Sequence, residues 1–247
     1  MVLETVPLSV RVDAEHGGRW TSLSGGGREW LWHRDEPRRE HVLPGDAFAD
    51  AGGIEECVPT VRGLPDHGDA WSRAWIAGDS MLEHRVSCPD FELTRRIGVV
   101  SGSVVADYRL VAEPGYRFLW AGHALLDLSQ RAVLQVHHAT ETRVFPLGPD
   151  DGTAVGDVID GTTAVVDDGP DHRLRLSVQV NRQPTAIALW RNLGGWPDAD
   201  PYRSIGVEPM LGRVFDLAHA DDGDCAVVPD SGEVRWRLTI TAYQQKA

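Results

Sequence analysis

The sequence predicts an all-β protein in which antiparallel strands form a sandwich or a barrel. Short segments with alternating apolar and polar residues recur along the chain, and this period of two is typical of half-buried strands. Clusters of Gly, Pro, Asp and Ser separate the segments and predict turns. Apolar residues at helical spacing are nearly lacking. Many short strands joined by turns favour antiparallel pairing over a parallel sheet with helical crossovers.

The predicted strands are the alternating segments 7–14, 28–33, 80–87, 91–100, 103–112, 116–128, 173–180, 185–190 and 233–243. Two further segments, 34–66 and 191–204, show no regular pattern, and long loops in compact domains are usually functional or disordered. No linker, repeat or low-complexity segment interrupts the chain. We therefore expect a single domain over residues 1–247.

The charge of the chain disfavours several classes of partner. Its 247 residues carry a net charge of −13 at neutral pH, whereas phosphate backbones and anionic membranes bind basic surfaces. We therefore expect no nucleic acid and no membrane as partner, and favour a small uncharged molecule. The first residues lack the basic and apolar regions of a signal peptide, and no apolar stretch is long enough to span a membrane. A cytoplasmic location is the expectation, and the oligomeric state stays open.

The cysteines and histidines do not indicate a metal site. Cys57, Cys88 and Cys225 are odd in number, widely spaced and without a CxxC pair, so we expect reduced thiols without metal. His137 and His138 are neighbours in an alternating segment, and a strand sends neighbouring side chains to opposite faces. They are therefore not expected to hold one ion together. The sequence predicts neither a metal nor a cofactor.

One loop concentrates groups that suit ligand binding. The segment LPDHGDAWSRAW, residues 64–75, combines turn-forming Pro, Gly and Asp with one histidine and two tryptophans. Loops on a rigid scaffold often carry binding residues, and an indole ring can stack on a sugar and donate its N–H. Core positions are expected for the tryptophans within strand patterns, which are Trp20, Trp120 and Trp236. Core and binding site are both open for four tryptophans in or beside loops, which are Trp71, Trp75, Trp190 and Trp196.

Two ionisable residues interrupt apolar strands. His123 lies in WAGHALLDL (120–128), and Glu208 lies in IGVEPM (205–210). A buried imidazole or carboxylate must be paired or functional, because leaving water without a partner is costly. Taken alone, each residue fits a satisfied core position as well as a catalytic one. Pro209 cannot donate to a strand ladder, which predicts a sheet edge or a bulge beside Glu208.

Six motifs, taken in order, resemble the aldose 1-epimerase (galactose mutarotase-like) superfamily. They are REWLW (28–32), GGIEECVPT (52–60), LPDHGDAW (64–71), FLWAGHALLDL (118–128), IGVEPM (205–210) and GEVRWRLTITAY (232–243). The resemblance covers nearly the whole chain. It implies an antiparallel β-supersandwich with a sugar cleft on its concave sheet, a small-molecule carbohydrate as partner and catalysis without a cofactor.

The resemblance also implies roles for individual residues. His123 matches the general acid, Glu208 the general base and His67 a sugar-binding histidine. Trp71 and Trp190 are expected to wall the cleft. A base that takes the proton from O1 and an acid that protonates the ring oxygen O5 open the sugar ring, which then closes on the other face of C1. Opposite charges are expected to keep both groups in the required form at neutral pH.

Departures from the family pattern bear on the substrate. Mutarotases carry an Asn-Arg pair in the region of GGIEECVPT, and that pair is lacking here. Trp71 stands where the hexose-6-phosphate branch has an arginine, and Arg73 follows two residues later. The resemblance therefore favours an unphosphorylated aldose or derivative, with Arg73 as the remaining cation of this loop. The motifs do not place the family's additional sugar-binding aspartate. A carbohydrate-binding sandwich without catalysis, and an isomerase or lyase of uronates or other modified sugars, are the alternatives.

Overall fold

Almost every element of the structure is an antiparallel strand, which confirms the predicted fold class. The structure, a computed structural model, describes residues 3–78 and 83–245. Two short 3₁₀ turns, Pro37–Glu40 and Leu217–His219, are the helical elements within these ranges. The strand predicted over 80–87 is observed at Glu83–Ser87, and its first three residues lie outside the described ranges.

Twenty strands occur in the described residues. The first ten are β1 (Leu3–Val6), β2 (Ser9–Asp13), β3 (Arg19–Gly25), β4 (Arg28–Glu29), β5 (Ile54–Cys57), β6 (Ile76–Ala77), β7 (Glu83–Ser87), β8 (Phe91–Val100), β9 (Ser103–Ala112) and β10 (Arg117–Phe118). The next ten are β11 (Trp120–Leu126), β12 (Val133–His138), β13 (Glu141–Pro146), β14 (Ala154–Asp160), β15 (Thr163–Asp168), β16 (His172–Val180), β17 (Thr185–Trp196), β18 (Tyr202–Leu211), β19 (Ala226–Val227) and β20 (Glu233–Gln245).

The strands form two large sheets. Described residues build a ten-stranded sheet in the order β13–β12–β15–β16–β20–β9–β8–β7–β6, with β1 added beside β20. They also build an eight-stranded sheet in the order β14–β17–β18–β11–β5–β3–β2, with β4 added beside β3. The pairs at the centre of both sheets are antiparallel. Strands β10 and β19 form a short separate ribbon.

The two sheets enclose a continuous apolar core. Along β11, Trp120, Ala124 and Leu126 belong to this core, whereas His123 and Leu125 line a cavity on the opposite face. Strand β11 is nevertheless buried along its whole length, because loops cover its second face. That face is therefore shielded from bulk water. The tryptophans of the strand patterns are buried in the core, as predicted: Trp20, Trp120 and Trp236.

The segment 34–66 contains a strand, β5, that the sequence pattern does not predict. Strand β5 lies in the interior of the eight-stranded sheet, so the irregular interpretation was wrong at these residues. Two buried glutamates break the apolar pattern. Arg39 binds Glu55 through hydrogen bonds of 2.9 and 3.0 Å, and Arg95 binds Glu56 at 2.6 Å. In a sequence, a charged residue predicts an exposed position unless its ion-pair partner is known. Here Arg39 lies 16 residues from Glu55, and Arg95 lies 39 residues from Glu56.

The segment 191–204 is also mostly strand. Strand β17 runs on to Trp196 and β18 begins at Tyr202, so the predicted loop shrinks to the few residues between them. Buried Asn192 supports an irregularity at the end of β17. Its side-chain oxygen accepts from the N–H groups of Gly195 and Trp196, and its amide donates to the carbonyl of Trp196. Asn and Gly are loop signals in sequence, yet here they shape the end of a strand.

Several strand boundaries differ from prediction. The segment 28–33 is strand only at β4, followed by isolated bridges at Leu31 and His33. Strands β1, β3 and β12 to β15 lie outside the predicted segments, as do the two-residue strands β6 and β19. Polar residues in the longer ones weaken the apolar side of the alternation. Within the described ranges, no helix is long and apolar enough to cross a membrane.

The three cysteines are free thiols. Cys57 and Cys225 are buried, and Cys88 is partly buried. Burial raises the pKa of Cys57 well above its ordinary value and raises the pKa of Cys88 to about 12. Thiolates are the reactive form of cysteine, so these two side chains are poor nucleophiles. In the part of the chain that the structure describes, no group of His, Cys, Asp and Glu is arranged to hold a metal ion.

Candidate active site

A cavity of about 630 Å³ opens on the face of the eight-stranded sheet that points away from the core. Strands β11, β14, β17 and β18 supply its floor, and loops supply its walls. Six ionisable side chains line it in the described residues: Asp50, Arg62, Asp66, His67, His123 and Glu208. Its aromatic lining consists of Phe48, Trp190, Trp196 and Phe215. Charged groups and aromatic faces in one concave site are typical of small-molecule binding.

His123 and Glu208 meet on the floor of this cavity. The Nε2 atom of His123 lies 3.7 Å from Oε1 of Glu208, and the two residues are only 8 % and 2 % exposed. The second carboxylate oxygen, Oε2, is buried and has no hydrogen-bond partner among the described residues. Buried polar atoms are rarely left in this state. The carboxylate of Glu208 therefore keeps hydrogen-bonding capacity that the described residues do not use.

The register of two neighbouring strands explains this contact. Ala121 pairs with Met210, and Leu125 pairs with Gly206, so the histidine and the glutamate midway between them stand opposite each other. Pro209 does not mark a sheet edge, because β18 lies between β17 and β11. Of the two predicted alternatives, the sheet edge is wrong. The ladder between β11 and β18 is unpaired along the residues between the two pairs, whereas Pro209 stays in register with Ile187 of β17.

Burial dominates the electrostatics of the pair. It raises the pKa of Glu208 and lowers the pKa of His123, because surroundings of low polarity disfavour the charged form of each group. The attraction between the two groups acts against burial in both residues and is the smaller effect. The expectation that opposite charges determine the protonation states is therefore corrected. Burial brings the proton affinities of the two groups towards each other.

His67 reaches the cavity from the loop 64–75. Its Nδ1 atom lies 2.8 Å from Oδ1 of Asp66, and its ring stacks on Phe48 with the centroids 3.8 Å apart. The ring also stands edge-on to His123 at a centroid distance of 5.2 Å. His67 has a positive φ of 58°, and such a backbone persists where the surroundings hold it. Because Nδ1 faces Asp66, Nε2 is left to contact a ligand.

The structure brings Trp190 to the cavity but leaves Trp71 and Arg73 outside its lining. Trp71 is 1 % exposed, and its indole N–H donates to the carbonyl of Asp66 at 2.9 Å. It supports the loop from within the protein and does not face the cavity. Arg73 forms an ion pair with Asp69 at 3.5 Å. Side-chain direction inside an irregular loop could not be deduced from sequence spacing.

Sequence reasoning missed five charged or aromatic lining residues, which are Phe48, Asp50, Arg62, Asp66 and Phe215. Asp50 accepts hydrogen bonds from the hydroxyl of Tyr202 at 2.6 Å and from the N–H of Gly52 at 3.1 Å. Asp50 thus places a carboxylate in the cavity. No motif predicted a site residue in this segment. Asp50 precedes the GGIEECVPT motif, and Arg62 follows it closely. Attention to polar residues flanking this motif would have found both.

Two tryptophans form one side of the cavity. The rings of Trp190 and Trp196 meet edge to face with centroids 6.3 Å apart. The indole N–H of Trp190 donates to the hydroxyl of Ser204 at 3.3 Å, whereas Trp196 is 45 % exposed. An indole face at the border of a cavity suits stacking against a flat apolar ligand surface, such as the C–H face of a sugar ring.

A larger groove crosses the ten-stranded sheet, but it is the weaker candidate. Its volume is about 1010 Å³, and it is open to solvent. Several of its charged side chains pair with one another, as Arg85 with Glu92 at 3.7 Å and Arg237 with Asp107 at 2.6 Å. These ion pairs are partly or half exposed and are typical of a solvated sheet face. The smaller cavity contains the buried pair of His123 and Glu208 and is therefore the candidate active site.

Comparison with known proteins supports this architecture. No protein-family model matches the chain, and no curated protein matches it in sequence. Solved structures do match. A protein from Synechocystis sp. PCC 6803 is 15 % identical and superimposes with a TM-score of 0.72, covering 99 % of this chain and 96 % of that chain.

Two further matching structures have functional names. A candidate aldose 1-epimerase from Escherichia coli K12 is 12 % identical, with a TM-score of 0.71 over 98 % of this chain and 99 % of that chain. A galactose mutarotase related enzyme from Lactobacillus acidophilus is 12 % identical, with a TM-score of 0.66 over 99 % of this chain and 98 % of that chain. Likeness at such low identity concerns the fold, and a fold can carry many activities. The resemblance seen in the motifs is confirmed at this level: the chain has the galactose mutarotase-like fold.

Proposed function

We propose that this chain is an aldose 1-epimerase-like isomerase, which interconverts the anomers of an unphosphorylated aldose or a close derivative. The observation that carries the proposal is the buried pair of His123 and Glu208, in which one carboxylate oxygen has no partner among the described residues. An acid and a base side by side in a shielded cavity suit the opening and closing of a sugar ring.

Each group of the pair serves one of the two oxygens on the anomeric carbon. In the protein molecules in which Glu208 is a carboxylate and His123 an imidazolium, Glu208 takes the proton of the O1 hydroxyl as the base, and His123 gives a proton to the ring oxygen O5 as the acid. The C1–O5 bond breaks, and C1 becomes an aldehyde carbon. After rotation about C1–C2, O5 attacks the other face, and both protons return. The 3.7 Å between Nε2 and Oε1 suits two oxygens that share one carbon.

Burial prepares the pair for a reversible reaction. Each group donates a proton in one direction and accepts it in the other. Burial raises the pKa of Glu208 and lowers the pKa of His123, so their proton affinities approach each other. Proton transfer in both directions is efficient when donor and acceptor have similar proton affinities.

The other lining groups suit a ring with several hydroxyls. His67 offers Nε2 as a donor or acceptor, since its Nδ1 faces Asp66. Asp50 retains unused lone pairs beside its two hydrogen bonds. Trp190 presents a flat indole on the cavity wall. Together they provide hydrogen bonds for the hydroxyls and an apolar surface for the C–H face of the ring.

The rate of anomer exchange tests this function. NMR exchange spectroscopy on a panel of free hexoses and pentoses, with and without the protein, should show faster exchange for at least one of them. Glu208→Gln keeps the shape of the side chain but cannot take the proton, so it should lower the rate by about 10²–10⁴-fold. Glu141→Gln, an exposed glutamate of β13 outside the cavity, is the matched control.

Two results would contradict the proposal. Sugar binding without accelerated exchange, across the panel, would favour a carbohydrate-binding protein that performs no catalysis. A Glu208→Gln variant that is as active as wild type would reject Glu208 as the base. Circular dichroism of both variants separates loss of chemistry from loss of fold.

A further inference from the structure

Arg62 is the single arginine that lines the cavity in the described residues. The central carbon of its guanidinium lies 4.9 Å from the ring centroid of Phe215 and 5.5 Å from that of Trp190. Neither an ion pair nor a side-chain hydrogen bond links the guanidinium to a described residue. Arg62 is exposed, and contacts with aromatic faces hold a guanidinium in place while its N–H donors stay open to solvent or a ligand.

The surrounding backbone holds Arg62 at this position. Its N–H donates to the carbonyl of Phe215 at 2.8 Å, and its carbonyl accepts from the hydroxyl of Thr60. Gly156 on β14 leaves space for the side chain, since a β-carbon there would stand 3.1 Å from Nη2 of Arg62. The guanidinium therefore has a defined place at the wall of the cavity.

The carboxylates of the cavity are engaged elsewhere. Asp66 is bonded to the ring of His67 and to a backbone N–H. Asp50 is bonded to the hydroxyl of Tyr202 and to a backbone N–H. Glu208 faces its catalytic partner. None of them forms an ion pair with the cavity's guanidinium, whose charge is thus not balanced by a direct partner.

We propose that Arg62 binds the carboxylate of a uronic acid, which makes a hexuronate the preferred substrate. This inference rests on the epimerase function proposed above. The planar fork of a guanidinium matches a carboxylate in a two-point contact. In a hexuronate the carboxylate is attached to C5, the carbon next to the ring oxygen O5. The residue that binds this carboxylate must therefore lie near His123 and Glu208 without contacting them.

The position of Arg62 meets this requirement. The pKa of Glu208 is raised by burial, and the charges of His123 and, to a smaller extent, Arg62 act against that rise. Arg62 and Glu208 line the same cavity, and no ion pair joins their side chains. A ligand can place one end against each of them.

The number of charges favours a carboxylate over a phosphate. One guanidinium balances one negative charge. A phosphate dianion would leave an excess negative charge in a cavity that already contains Asp50, Asp66 and Glu208, and like charges at short range repel one another. A sugar 6-phosphate is therefore expected to be the poorer ligand.

The test compares ligands that share one ring. Anomer exchange by NMR gives kcat/KM for D-galacturonate, D-galactose and D-galactose 6-phosphate, and for the corresponding glucose series. With wild type, the uronate should exceed its parent aldose by about 10–100-fold, because a charge-assisted two-point contact has that effect on affinity. Arg62→Gln should bring this ratio close to one. Arg62→Lys keeps the charge but loses the fork, and should give an intermediate ratio.

A ratio within one variant is insensitive to a general loss of activity. Arg131→Gln, an exposed arginine outside the cavity, is the matched control and should keep the wild-type ratio. A wild-type ratio near one would overturn the inference. So would an unchanged ratio in Arg62→Gln with native circular dichroism. A preference for the 6-phosphate over both other ligands would overturn the assignment to a carboxylate.

Failure of the epimerase function can be told apart from failure of this inference. If no sugar exchanges faster in the presence of protein, D-galacturonate and D-glucuronate are titrated against wild type and Arg62→Gln by chemical-shift perturbation. Binding at least tenfold weaker in the variant supports the carboxylate contact without catalysis. Equal binding by both proteins, or no binding by either, rejects it.

Discussion

Gly206 lies so close to Glu208 that a β-carbon added at residue 206 would stand 2.6 Å from Oε1 of the glutamate. The two residues share one face of β18, two positions apart. The same β-carbon would stand 3.0 Å from the β-carbon of Trp190 on the neighbouring strand. Glycine at this position therefore leaves the room in which the carboxylate sits.

Gly206→Ala should displace the carboxylate of Glu208 and lower the rate of anomer exchange, with the fold retained. Overpacking by one methyl group typically costs about 1–3 kcal/mol of stability, which thermal unfolding would register. Gly98→Ala on β8 is the control, because a β-carbon there meets no atom within 4 Å. Equal rates of anomer exchange in the two variants would contradict this expectation.

The imidazole of His123 should titrate below its ordinary pKa of 6.5, because burial disfavours the imidazolium. Its charged form is then lost as the pH rises through that lowered value. Removal of the carboxylate in Glu208→Gln takes away the main attraction that opposes burial, so the pKa of His123 should fall further. Nitrogen-15 NMR of the ring measures both values, and His123→Asn assigns the signal. A higher pKa in the glutamine variant would contradict this account.

His67→Ala should raise KM with little effect on kcat, since a contact made equally in ground state and transition state affects binding alone. The substitution also removes the stacking of His67 on Phe48, so circular dichroism should be used to check that the variant keeps the fold. Saturation curves of the exchange rate measure the two parameters. A fall in kcat as large as that of Glu208→Gln would instead place His67 in the chemical step.

Arg95→Met should destabilise the protein by about 3–5 kcal/mol, because it leaves a buried carboxylate without its counter-ion. Glu56 accepts hydrogen bonds from Arg95 at 2.6 Å, from Tyr108 at 2.9 Å and from Trp120 at 2.7 Å. Urea unfolding measures the loss. Adding Glu56→Gln to this variant should restore part of the stability, since it removes the unpaired charge.

Arg237→Met is the control for that experiment. Arg237 pairs with Asp107 on the exposed face of the larger sheet, where both side chains are half exposed. Solvent screens such pairs, so their contribution is small. A loss of stability as large as that of Arg95→Met would show that burial is not the reason for the difference.

Alternation was sufficient to predict the architecture, because a sheet with one face against a core imposes a period of two on its strands. It failed at β5, where Glu55 and Glu56 are buried with arginines that are distant in sequence. It also failed at the end of β17, where Asn192 replaces the missing backbone partners of an irregular strand end. Tertiary contacts override local pattern at both places.

The candidate site was only partly accessible to sequence reasoning. His123 and Glu208 stood out as ionisable residues in apolar strands, but their contact depends on the pairing of β11 with β18, which no local signal encodes. Arg62 and Asp50 lie in loops, where the direction of a side chain follows from the whole fold. Trp71 illustrates the opposite error, since a tryptophan in a promising loop is buried beneath it.

Strand β20 lies in the interior of the ten-stranded sheet, paired with β9 on one side and β16 on the other. Until residues 233–245 dock, both neighbours present unpaired backbone edges, which readily recruit strands from other chains. The pairings of β20 with β1, β9 and β16 join segments far apart in sequence, and such pairings form slowly. A fragment that ends before residue 233 should therefore self-associate and aggregate, because its two halves of the sheet have nothing to join them.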